Sequence, residues 1–345
     1  MLSVIGINET KKWDALVKSF KTFDVHYLNG YAKAFELHGD GEPLLLYYEG
    51  NGTRGMNVVL KRDIAKSDVF KDKLEKDTWF DLSTPYGYGG FWVEGSDLKS
   101  VDDEYSLFCK ENGFISEFVR FNLFSGFETA YSGSIRTPSH NIVRTLDLSI
   151  EEILMDFEHK VRTNLEKGVD ADLRIEFDEK GDRMEEFLQL YASTMVRTCA
   201  EPYYYFSKDF FEHLKKLEES SVFVHVLHED QVIASTLTLY GTENCYPFLC
   251  GSNHDYFNLR PNEFMQVETI KWAKAKGLKR LVLGGGYGED DGIYRYKRGF
   301  APKGIYNYYV GTNIFDEGKY EKLVEMRRQE ADFDPQKDYF PLYRG

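Results

Sequence analysis

Hydrophobic and polar positions alternate in two separated stretches of this chain in the way that a β-hairpin requires. In LLLYYEGNGTRGMNVVLKR (44–62), apolar and β-forming runs flank an Asn-Gly pair, and VFVHVLHEDQVIASTLTLY (222–240) has the same build. After the first comes a helical pattern, LKSVDDEYSLFCKEN, stopped by Gly113, then the strand FISEFVRF. After the second comes PNEFMQVETIKWAKAK, with Pro261 in the first turn and Gly277 at the C-terminal cap, then the strand LKRLVL. The order of elements repeats although the letters do not. The pattern therefore predicts two similar α/β domains, a structural duplication joined near residues 136–146: an N-terminal domain over 1–140, a C-terminal one over 141–310, and a tail over 311–345 that returns to the first.

The second domain opens with a marked helix. Ser149 and Glu152 have capping-box spacing, and Ile153, Phe157, Val161 and Leu165 form a stripe that buries one face, with Gly168 as the stop. Lys160, Arg162 and Lys167 lie on its other face. A further helix is expected over about 183–198 and ends at Arg197; Pro202 then interrupts, and Ser207 caps the next helix.

Composition narrows the class. The 345 residues, 42% of them hydrophobic, supply enough apolar surface for two ordinary domains. The apolar run in MLSVIGINETKKW is too short for a secretory or membrane-spanning segment and nothing later is longer, so a soluble, cytoplasmic protein with no stable membrane insertion is expected. Four cysteines without a CxxC pair and eight histidines without HxxxH give no support to a disulfide framework or a metal site. The formal charge of −14 argues against indiscriminate nucleic-acid binding, yet residues 271–303 hold nine basic side chains against three acids, a local stretch suited to an anion.

That stretch includes LVLGGGYGEDDGIYRYKRGFAP (281–302). No GK[ST] follows its glycines and no GxGxxG is present, which excludes a P-loop and a dinucleotide fingerprint. The glycines instead let the chain leave a strand end tightly, giving backbone access to a ligand or a neighbouring strand. Glu289, Asp290 and Asp291 read either as solvated acids of a glycine-flanked loop or as a source of a base for an attacking amine. PYGYGG (85–90) reads either as a glycine-rich turn or as a ligand rim in which Tyr86 and Tyr88 offer stacking faces.

Four segments, STPYGYGGF (83–91), KVRTNLEKGV (160–169), YASTMVRTCAEPYYYF (191–206) and LGGGYGEDDGIYRYKRGF (283–300), together resemble the FemAB-type branch of the GNAT-fold acyltransferases, relatives of enzymes that attach amino acids from aminoacyl-tRNA to peptidoglycan precursors. The resemblance runs from about residue 25 to 310. It implies an α/β (α+β) fold of two tandem GNAT-like domains (the acyl-CoA N-acyltransferase fold) facing a central cleft, with the transferase site mainly on the second and no room for the helical arm of some members. It places the family's aromatic-lysine pair on Tyr296 and Lys297, with tyrosine where phenylalanine is usual. A fixed ammonium there would steady the tetrahedral oxyanion of acyl transfer, where one such donor is worth about 3 to 4 kcal/mol, or would instead bind a phosphate of either substrate. The candidate substrate-binding set is Arg197, Tyr204, Tyr86, Tyr88, Arg162, Arg260, Gly285, Gly286 and Arg298.

GNAT acetyltransferases hold the coenzyme A pyrophosphate on an [R/Q]xxGx[G/A] loop at a helix start. The corresponding GSNHDYFNLRPNEFMQ has Arg260 but no glycine after it, and its proline removes a donor. No tightly bound cofactor is expected. The donor is expected to be aminoacyl-tRNA, its acceptor end against the basic stretch, rather than acyl-CoA; the acceptor is an amine of a nucleotide-linked or lipid-linked cell-wall precursor, such as a muramoyl peptide, or of an amino sugar. An acetyl-CoA-dependent N-acetyltransferase and a non-catalytic binding protein are the alternatives.

Overall fold

The computed structural model describes residues 1–345 except Glu218 and Glu289 and the side chains of residues 168–170. In chain order the elements are β1 (Leu2–Gly6), α1 (Thr10–Ser19), α2 (Asn29–His38), β2 (Glu42–Gly50), β3 (Thr53–Asp63), β4 (Phe80–Ser83), β5 (Trp92–Glu94), α3 (Leu98–Glu111) and β6 (Phe114–Arg120). There follow β7 (Ser134–Thr145), α4 (Ile150–Asp156), α5 (His159–Asp170), β8 (Arg174–Asp178), α6 (Met184–Arg197), α7 (Lys208–Lys215), β9 (Ser221–His228), β10 (Gln231–Tyr240) and β11 (Asn244–Ser252). The chain closes with α8 (Pro261–Ala275), β12 (Arg280–Gly284), α9 (Gly292–Arg298), β13 (Ile305–Ile314) and α10 (Glu317–Arg328). Among the described residues no helix is long and apolar enough to cross a membrane.

The chain divides into two compact units. The first holds Met1–Lys21, His26–Pro138 and Tyr308–Gly345; the second holds Thr22–Val25 and Ser139–Asn307. The short 22–25 segment belongs to the second because the Asp24 carboxylate accepts from Asn244 Nδ2 at 3.0 Å and from the Tyr246 hydroxyl at 2.7 Å.

In the first unit the strand order is β1-β2-β3-β4-β6-β13, with β5 also on β3. Its pairs are antiparallel except β4 with β6, which are joined through α3 and run parallel. Leu46, Val59, Phe91, Tyr105, Val119 and Phe121 form its main core. A satellite core joins Ile64, Phe70 and Ile115 to Leu323 and Val324 of α10 and to Tyr343.

The second unit orders its strands β7-β12-β11-β10-β9-β8, again with one parallel pair, β11 and β12, joined through α8. Strands β9 and β10 are buried along almost their whole length, as expected of strands covered on both faces. Val222, Val224 and Val226 share a core with Met265, Val267 and Ile270 of α8, whereas Phe223, on the other face, meets Phe187 of α6 at 5.1 Å between ring centroids.

One sequence expectation is corrected here. The single helix over 149–168 is two, because Phe157 adopts an extended conformation (φ −63°, ψ 150°) between α4 and α5. Its ring packs edge-on against Phe300 at 5.4 Å, and the next amide, Glu158 N–H, donates to the Gly299 carbonyl at 2.9 Å instead of to a helical partner. Tertiary packing wins over the helical periodicity. The Ser149–Glu152 capping box is present, but α5 continues through Gly168 to Asp170.

Candidate active site

Strand β12 lies between β11 and β7, and the chain leaves it through Gly284, Gly285 and Gly286. A Cβ on Gly285 would lie 2.8 Å from Asn141 Oδ1, and one on Gly286 would collide with the Asp291 carboxylate. The glycines are therefore demanded by close approach. Asp291 is the staple of this loop: its carboxylate accepts from the backbone N–H groups of Tyr287 (2.5 Å), Gly288 (2.9 Å) and Tyr294 (2.7 Å), capping α9. Those N–H donors hold its pKa below the usual carboxylate range. Asp290 faces Arg298 at 3.6 Å and Arg295 at 3.7 Å, and Glu289 lies outside the described residues. Both described acids are thus engaged by neighbours.

The staple aims α9 so that Lys297 turns back toward the strand exit. Its Nζ donates to the Gly285 carbonyl at 2.5 Å, and burial lowers its pKa to about 8, opposed by Cys250 and Asp291. An ammonium has three donors, so among the described residues two remain for a ligand. Tyr296 sets its ring edge-on to Phe300 at 5.2 Å; burial, with Glu263 and Cys250, pushes its hydroxyl pKa well up.

The surroundings of Lys297 come from three other elements of the same unit. Cys250, exposed near the end of β11, has its thiol pKa raised by burial among neighbouring atoms and pulled down by Lys297 and Arg197. Arg197, ending α6, holds its guanidinium 5.1 Å from the centre of the Phe257 ring. The Tyr204 carbonyl accepts from the Tyr191 hydroxyl at 2.6 Å, and Tyr204, Cys250 and Asp291 all act electrostatically on Tyr287, which is 79% exposed.

Of the residues singled out from the sequence, Lys297, Tyr296, Gly285, Gly286, Arg197 and Tyr204 therefore share this region. The others are placed differently. Arg162 donates Nη1 to the carbonyls of Met155 (3.1 Å) and Phe157, which closes the end of α4. Arg298 pairs with Glu158 and Asp290, each at 3.6 Å. Arg260 is the N-cap of α8 in a left-handed conformation (φ 58°). Tyr86 and Tyr88 belong to the first unit, where the Tyr86 carbonyl accepts from the Tyr31 hydroxyl at 2.6 Å and the buried Tyr88 ring meets His26 and Tyr308 edge-on.

The basic stretch is also changed by folding. Lys271, Lys276, Lys279 and Arg280 pair with Glu268, Glu179 and Glu243, Lys303 lies 3.9 Å from Asp156, and the Lys274 Nζ donates to the Leu146 carbonyl at 2.8 Å. Counting charge along the chain misses acids brought in from elsewhere. At the start of α8, Pro261 supplies no N–H and Glu263 is buried, its Oε1 accepting from Asn164 Nδ2 at 2.8 Å.

Cys250, Tyr191, Tyr287 and the Asn164–Glu263 pair were not singled out from the sequence. Tyr287, directly after the glycines, was the one with a local signal. A serine-histidine-aspartate arrangement also occurs: Ser235 Oγ is 2.9 Å from His225 Nδ1, and Asp178 Oδ2 is 3.5 Å from Nε2. Ser235 and His225 are fully buried inside the sheet, so no acyl donor reaches them and the trio joins strands.

Residues 156–298 match the family described as the acetyltransferase (GNAT) domain. No curated protein matches the chain. Among solved structures the chain is similar to FemX, at 14% identity and a TM-score of 0.68, covering 93% of this chain and 99% of that one. It is also similar to L-PGS from Bacillus licheniformis (10% identity, TM-score 0.57, 92% and 96% covered). A third is the C-terminal domain of a putative lysylphosphatidylglycerol synthetase from Agrobacterium fabrum (11% identity, TM-score 0.56, 94% and 95% covered). The chain thus carries a GNAT-type acyltransferase domain over residues 156–298 and has the fold of FemX along nearly its whole length.

Proposed function

We propose that the second unit transfers an aminoacyl group from aminoacyl-tRNA to an amine of a cell-envelope precursor, a muramoyl peptide carried on a nucleotide or lipid, or an amino sugar. The observation that carries this reading is the Lys297 ammonium, tied to the Gly285 carbonyl with two donors left over among the described residues, and set among Arg197, Tyr204 and Cys250. As the amine attacks an ester carbonyl, negative charge grows on its oxygen, and an ammonium already fixed in place meets that charge without reorganising. The pKa of about 8 keeps most of the Lys297 population charged at neutral pH. Arg197 suits a phosphate or carboxylate of the acceptor, and the tyrosines offer stacking faces and hydroxyls.

The preference for aminoacyl-tRNA rests on α8. A coenzyme A pyrophosphate needs free backbone N–H groups and a positive helix start. Here proline removes one N–H and the buried Glu263 sets a carboxylate in the first turn. One of the similar structures is named for a putative lysylphosphatidylglycerol synthetase, which also favours an aminoacyl group. The second reading, acetyl-CoA-dependent N-acetylation of a small amine, is favoured by the match to an acetyltransferase domain.

The test offers the full chain charged tRNA or acetyl-CoA, each with a muramoyl-peptide nucleotide or an amino sugar, and follows labelled acyl groups. Transfer from charged tRNA with weak acetyl-CoA binding is expected. Tight stoichiometric acetyl-CoA binding with acetyl transfer would replace the first reading by the second.

A further inference from the structure

We infer that the first unit carries an anion site of its own, suited to a phosphate ester on a planar ring, the chemistry of a nucleotide. A cavity of about 390 Å³ opens there among Arg62, Arg120, Arg136, Phe118, Tyr339 and Phe340. That size is within the range of small-molecule sites, which begins at about 300 Å³. The inference uses no residue of the proposed transfer site and does not rest on that reading.

The three guanidiniums come from different elements and two are already oriented. Arg62, near the end of β3, is held by Asp81, its Nε donating at 2.7 Å, while its Nη2 is buried without a hydrogen-bond partner among the described residues. Arg120, ending β6, lies over the Phe118 ring at 4.8 Å; its side-chain hydrogen bond to the Thr84 carbonyl is long at 3.4 Å. It pairs with no carboxylate among the described residues. Arg136 bonds to Asp338, whose side chain is 85% exposed, and an ion pair so wet is readily exchanged for a phosphate.

Charge and shape agree. Three guanidiniums line the cavity against one carboxylate, Asp338, and Asp81, which holds Arg62, is shared with Arg344, so the cavity is left positive. Planar guanidinium forks match phosphate oxygens in pairs, which a scatter of lysines does not. Of the lining rings, Phe340 is stacked on Tyr320 at 5.9 Å and Tyr339 is half exposed, rings against which a base can lie.

Calorimetry on the full chain with UMP, AMP, inorganic phosphate and uridine tests this. The two nucleotides are expected to bind, phosphate more weakly, and uridine not measurably. Arg120→Met and Arg136→Met should each lower nucleotide affinity about tenfold or more, as loss of a charge-assisted hydrogen bond does. Arg120→Lys should recover part of it, and Arg174→Met, which removes an exposed ion pair with Asp230 in the second unit, should leave it unchanged. Arg62 is left intact because its loss would strip one partner from the buried Asp81. Failure of both nucleotides to bind overturns the inference. So does binding that survives both Arg120→Met and Arg136→Met, and phosphate binding as tightly as nucleotide would overturn the role of the rings.

Discussion

The Lys297 Nζ donates to the carbonyl of Gly285, twelve residues earlier, at 2.5 Å, and this bond joins α9 to the exit of β12. Burial brings the ammonium down to a pKa of about 8, so it is charged below that pH and neutral above it. If the charged form acts, the wild-type advantage over Lys297→Met in single-turnover transfer should be flat at low pH and shrink as pH rises through about 8. An advantage that grows above pH 8 would assign the work to the free amine.

A buried acid in the first unit predicts a second pH effect. Glu117 is 1% exposed and accepts from the hydroxyls of Tyr105 and Tyr131, and burial raises its pKa from 4.5 to about 7. Its folded pKa is above the unfolded one, so its contribution is complete below about pH 4.5 and declines as pH rises toward 7. Glu117→Gln should therefore raise the melting temperature at pH 8, where the cost of ionising is on the order of 3 kcal/mol, and give no gain at pH 5. His26, lowered by burial to about 3, acts in the opposite sense: its contribution is present above about pH 6.5 and is lost as pH falls toward 3. Equal effects of Glu117→Gln at the two pH values would show that the carboxyl does not titrate in the fold.

The C-terminal residues fasten onto a buried carboxylate. Asp81 is fully buried and accepts from Arg62 (2.7 Å), Arg344 (2.6 Å) and the Tyr343 hydroxyl (2.8 Å). Burial pushes its carboxyl up, but Arg62 and Arg344 more than reverse this, and it stays ionised. Arg344→Met should cost about 3 to 5 kcal/mol in denaturant unfolding, because it strips one partner from a buried charge. Adding Asp81→Asn should recover part of the loss. A cost below about 1 kcal/mol for Arg344→Met would mean that solvent reaches the pair.

What the sequence shows of this fold is what neighbours along the chain decide. The two Asn-Gly and Glu-Asp hairpins, the Ser149 cap, the Ser207 cap on Phe210 N–H and Pro261 in the first turn of α8 are all formed by residues a few positions apart. The break at Phe157 was hidden because its cause, Phe300, is far along the chain. The same distance hid Asp24, whose partners Asn244 and Tyr246 place residues 22–25 in the second unit, and the acids that neutralise the basic stretch. Lys297 was legible because a motif carried it; Cys250 was not, because a lone cysteine at a strand end has no signature.

The central claim is that Lys297 acts on the reacting oxygen, and single-turnover transfer with saturating substrates tests it most directly. Lys297→Met keeps an unbranched chain of similar length and should slow the step about 10²- to 10³-fold while changing substrate affinity much less, since the contact is made mainly in the transition state. Arg298→Met, the adjacent residue on α9, paired outward with Glu158 and Asp290, should stay within a few-fold of wild type. Equal and modest losses in both variants would contradict the claim and leave Lys297 as a lysine that only fastens α9 to Gly285.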